Sequence, residues 1–116
     1  MDGLTAQEVF DTVVNHFKTQ KVPAVTGRRC LYRTPDGLKC AAGILIKDED
    51  YSPDMEGTDF SGIASDLPYL YDHVDLIQRL QDVHDSVGVE LLTTFTRNKL
   101  KEVAEEYSLN DSLVDW

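Results

Sequence analysis

Apolar residues near the start of the chain recur every three or four positions. Val9, Phe10, Val13, Val14 and Phe17 fall on one side of a 3.6-residue spiral with polar residues between them. Thr5 precedes Glu8 by three residues, the spacing at which each side chain can bond the other's backbone amide, so a capped helix is predicted over about 6–19. Pro23 and Gly27 interrupt that pattern. Around Thr34-Pro35-Asp36-Gly37 the period reads as two: proline presets φ at the second turn position and glycine accepts positive φ at the fourth. A β-hairpin over about 29–46 with a type I turn and glycine bulge follows, Arg33 facing Lys39 and Tyr32 facing Cys40. In that register Cys30, Tyr32, Cys40, Ala42, Ile44 and Ile46 point to the core, and Arg29, Leu31, Arg33, Lys39, Ala41 and Leu45 point outward.

Residues 47–66 read as an acidic loop with a short helical turn near 61–65. Beyond Pro68, Leu70, Val74, Ile77, Leu80 and Val83 predict a helix of about four turns ending near Ser86. Gly88 separates it from a last helix over about 89–107, carried by Leu91, Leu92, Phe95, Leu100, Val103, Ala104 and Tyr107. Residues 108–116 form an acidic tail, for which a flexible end and docking through Leu113 and Trp116 are both open. The expected fold class is α+β in a single domain spanning 1–116: an N-terminal helix, the hairpin and two C-terminal helices.

The pattern R-R-C-x-Y-R-x-x-D-G-x-K-C-A-x-G-x-L-I from Arg28 to Ile46, followed by D-E-x-Y, resembles a family of small uncharacterised proteins of bacterial and phage genomes. The resemblance reaches about Tyr51, under a quarter of the chain, and implies no activity and no catalytic residues.

Composition narrows the function classes. The hydrophobic share of 41% is that of an ordinary globular domain, and no stretch approaches the ~20 apolar residues of a membrane span. The opening MDGLTAQEVF has no basic stretch followed by an apolar one, and Cys30 and Cys40 are the only cysteines; a cytoplasmic protein with free thiols is expected. A net charge of −10 argues against binding duplex nucleic acid, whose affinity depends on cations. The charge is uneven: residues 18–47 carry seven cations against Asp36 alone, whereas residues 48–116 carry seventeen acids against four cations.

Several candidates for chemistry lack their minimum parts. On one hairpin face Cys30 and Cys40 lie about 7 Å apart, beyond the ~4 Å between Cβ atoms of a disulfide. Two thiolates without further ligands make no zinc site, and the pair reads as small buried hydrophobes. A nucleophilic cysteine needs a base such as His73 or His84, and both histidines read as surface residues. Asp48, Asp50 and Asp54 suggest calcium, yet Pro53 stands where an EF-hand loop needs glycine and Asp59 where it needs glutamate. No metal, no cofactor and no catalytic residue is therefore assigned.

The basic segment supplies the candidate ligand-binding residues, Arg28, Arg29, Arg33 and Lys39, with Tyr32 or Tyr51 to stack on a base. Like charges facing each other at Arg33 and Lys39 call for an anion between them, either external or one of Glu49, Asp50 and Asp54 folded back. The expected function is a non-enzymatic binding module holding a small anion or nucleotide at this segment. The alternatives are an acidic decoy or inhibitor that binds a basic protein partner, and a cysteine-dependent enzyme. Leu31 and Leu45, outward on the hairpin, mark where two copies would pair in a homodimer.

Overall fold

In a computed structural model the described residues are 4–26, 29–86 and 90–116, with no side chains described for 25, 26, 29 and 30. Helix α1, Ala6–Gln20, starts where the capping box places it: Thr5 Oγ1 accepts from the Glu8 amide at 3.1 Å, and Glu8 Oε1 accepts from the Thr5 amide at 2.8 Å. It ends at Lys21, whose φ of 67° turns the chain left-handed while its amide donates to the Phe17 carbonyl at 2.9 Å. Its apolar stripe, Val9, Phe10, Val13, Val14 and Phe17, is fully buried, worth roughly 1.5–3 kcal/mol for each large side chain.

The fold is helical, not α+β, and the hairpin over 29–46 is not formed. Two-residue strands β1, Val25–Thr26, and β2, Arg29–Cys30, pair antiparallel with Val25 opposite Cys30, and Leu31 adds a bond from its amide to Ala24. Residues 29–31, expected to pair forward with the far side of the turn, thus pair backward with 24–26, whereas Tyr32 and Arg33 still face Cys40 and Lys39. The 34–37 turn does form, with Thr34 and Leu38 bonded and Gly37 at φ 94°, but Arg33 and Lys39 make one isolated bridge. The ladder ends at Cys40, whose amide donates to the Tyr32 carbonyl at 3.1 Å.

Cys40 then caps helix α2, Ala41–Leu45, its Sγ accepting from the Gly43 amide at 3.3 Å. The run Ala41-Ala42-Gly43-Ile44-Leu45 lacks the polar alternation of a half-buried strand, and its two alanines favour helix. Ala41, Ala42 and Gly43 are buried in succession, which a strand with alternating faces would not give. Leu45, expected outward, is 6% exposed and turned into the core. Gly43 has a steric role: a Cβ there would stand 1.9 Å from the Tyr32 carbonyl oxygen.

After the acidic loop come α3, Phe60–Ile63, then α4, Val74–Asp85, and α5, Thr94–Glu106, capped by Thr93. Helix α4 is central, packing against α1, α2, α3 and α5. Arg79 reaches from it to Glu106 of α5 with Nη1–oxygen distances of 2.5 and 2.6 Å. The tail is docked: Val114 is buried, Trp116 donates from Nε1 to the Thr93 carbonyl, and Lys18 pairs with Asp115 at 3.0 Å. Among the described residues no helix is long and apolar enough to cross a membrane.

Candidate functional site

The structure separates the four basic candidates. Arg28 lies outside the described residues, and Arg29 is described only by its backbone in β2. Arg33 and Lys39 do come together, and an internal acid stands between them. Asp48 Oδ1 sits 2.7 Å from Arg33 Nη1 and 3.7 Å from Lys39 Nζ. The direct bond from Arg33, followed by the charge of Lys39, holds the Asp48 carboxyl below its ordinary range. The anion predicted between the two cations is therefore present, supplied by Asp48 rather than by Glu49, Asp50 or Asp54.

Arg33 is further committed. Its Nη2 donates to the Ile46 carbonyl at 2.5 Å, its guanidinium lies 4.8 Å from the centre of the Tyr51 ring, and its side chain is only 15% exposed. Glu56 completes the arrangement by accepting the Tyr32 amide on Oε1 and the Arg33 amide and Tyr51 hydroxyl on Oε2. Burial first, then the Glu56 hydrogen bond, pushes the Tyr51 hydroxyl up to about 12. Asp50 accepts from Tyr69, and among the described residues no group of three histidine, cysteine or carboxylate side chains is placed to hold a metal ion.

Behind this turn lies a cleft of about 410 Å³. One wall is the polar face of α4, where Gln78, Gln81, Asp82 and Asp85 recur at helical spacing; the other is the 56–60 segment with Glu56 and Asp59. Tyr32, Cys40 and Phe60, all nearly inaccessible, contribute apolar surface. Asp85 accepts from Gln81 Nε2 at 2.8 Å and from His84 Nδ1 at 3.0 Å. No described lysine or arginine lines the cleft or forms an ion pair with Glu56, Asp59 or Asp82.

His84 is completely buried, contrary to its expected surface position, and His73 is half-buried. The Ala24 amide donates to His84 Nε2 at 2.9 Å, which fixes the tautomer: the proton sits on Nδ1 and is given to Asp85. His73 donates from Nε2 to the Leu4 carbonyl, and His16 donates from Nε2 to the Lys39 carbonyl at 2.7 Å. Burial pushes the free Cys40 thiol up to about 12, with the Asp85 and Glu56 charges adding to the effect, so it is protonated at neutral pH.

The α4 half of this cleft was readable, since residues 78, 82 and 85 form a polar stripe opposite Ile77, Leu80 and His84; nothing in the sequence singled out Glu56 as the clamp on the turn. Comparison of the chain with protein-family models, with curated proteins and with solved structures gives no match.

Proposed function

We propose that the chain is a non-enzymatic acidic binding module that associates with a basic partner protein. The observation that carries this reading is the fate of the cations. Lys18, Arg33, Lys39, Arg79, Lys99 and Lys101 each pair with a carboxylate of the same chain, and twenty-one acids against eleven cations leave a net charge of −10. That surplus attracts a basic surface and speeds its encounter. The small-anion reading has less support, because Arg33 and Lys39 already share Asp48 and Arg33 is held at three further points. A reducing cytoplasm, bacterial or phage in origin, is the setting assumed, in keeping with Cys40 as a free thiol.

The test is a salt series on the full chain with a fluorescein-labelled arginine-rich peptide, read by anisotropy against an uncharged peptide of equal length. Association with the basic peptide alone is expected, weakening at least about tenfold as salt rises from tens to several hundred millimolar and the screening length contracts below ~10 Å. Affinity unchanged over that range would refute the reading.

A further inference from the structure

We infer that the cleft between α4 and the 56–60 segment receives an arginine side chain of the basic partner, an assignment that rests on the acidic-module reading above. Its volume of about 410 Å³ lies in the roughly 300–1,000 Å³ range of ligand sites and takes an arginine with its flanking backbone. Glu56, Asp59, Asp82 and Asp85 supply charge complementarity, but without the convergence a metal ion needs, since no group of three ligands among the described residues could hold one. A broad, planar cation satisfies spaced carboxylates better than a point charge.

Two of the four acids are fixed before any ligand arrives. Glu56 is tied to two consecutive amides and a tyrosine hydroxyl, and Asp85 is tied to Gln81 and the buried His84. Asp59 and Asp82, by contrast, are exposed and bonded to no described side chain, so they are the acids that remain to receive donors. Leu31, half-buried in the cleft lining, offers apolar contact to the methylene stem of arginine.

The experiment uses the full chain with two labelled peptides, one alternating glycine and arginine, the other glycine and lysine, at fixed low salt. The variant Asp59→Asn/Asp82→Asn removes two cleft charges without breaking a described hydrogen bond. Glu49→Gln/Asp54→Asn removes two exposed charges from the same loop region outside the cleft and controls for net charge. Wild type is expected to prefer the arginine peptide about tenfold, the cleft variant to lose about tenfold in affinity and the control about twofold or less. Equal losses in the two variants would overturn the cleft while leaving the acidic module standing, and equal affinity for both peptides would overturn the choice of arginine. Absence of binding of either peptide to wild type would overturn the acidic module itself.

Discussion

Replacing Gly43 by alanine sets two effects of opposite sign against each other at one atom. Inside a helix, glycine to alanine ordinarily gains about 1 kcal/mol from the lower entropy of the unfolded chain and better helix propensity. In α2 the added Cβ would stand 1.9 Å from the Tyr32 carbonyl oxygen and 2.8 Å from its carbon, and both are backbone atoms. Relieving this contact requires the two segments to part by roughly 1 Å or more, in surroundings where packing leaves no free volume. Cys40, Ala41 and Ala42 beside it are wholly buried. Parting them stretches the 3.1 Å bond from the Cys40 amide to Tyr32, worth about 0.5–1.5 kcal/mol, and adds overpacking strain of about 1–3 kcal/mol. The clash outweighs the propensity gain, and Gly43→Ala should lose about 1–3 kcal/mol. Urea unfolding followed by far-ultraviolet circular dichroism measures the difference, with Gly62→Ala as the control. There the added Cβ meets only the Thr58 methyl at 2.8 Å, a side chain that can turn away, so that variant should stay within about 0.5 kcal/mol of wild type. A Gly43→Ala protein as stable as its parent would refute the close approach of α2 to Tyr32.

Stability should fall in two stages on acidification. Burial holds the His16 imidazole below its ordinary 6.5, so the unfolded chain takes up that proton first and stability declines as pH drops through the range below 6.5; His16→Gln should flatten this stage in pH-dependent urea melts. Asp48 is likewise held below its ordinary 3.8, and the stability its pairing contributes, present above that value, is lost as pH falls further; Asp48→Asn should remove this component, and an unchanged acid limb would refute it. Arg33→Ala should destabilise the fold by about 2–3 kcal/mol, because it removes a mostly buried side chain bonded to Ile46 and Asp48 and stacked on Tyr51. Lys39→Ala, whose loss is one longer ion pair, should stay within about 1 kcal/mol in the same melts.

What was legible in the sequence follows from how local each signal is. The capping box of α1 and its five-residue stripe are set by neighbours three and four positions away, and both reappear in the fold. The turn at 34–37 is equally local, fixed by proline and glycine. The hairpin failed where its evidence was not local. A short apolar run such as residues 41–46 fits a buried strand or a buried helix equally well, and the choice depends on the cap at Cys40 and on room beside Tyr32. His84 continues the stripe of Ile77 and Leu80 at four-residue spacing, but the polarity of its ring masks the buried position. The candidate site shows the same division. The need for an anion between Arg33 and Lys39 was readable from like charges facing across a turn, but choosing Asp48 over its acidic neighbours required the path of the loop.

That loop path has a consequence for kinetics. Ile46, Asp48, Tyr51 and Glu56 all bind Arg33 through backbone, carboxylate, ring or amide contacts, so a strongly charged segment is anchored repeatedly to one residue. A solvated acidic loop would lose conformational freedom on meeting a partner and would associate weakly for its charge. With its shape already set, the loop adds little ordering to the binding step. Electrostatic attraction then governs how quickly a partner arrives, and the fit against the loop and α4 governs how long it stays.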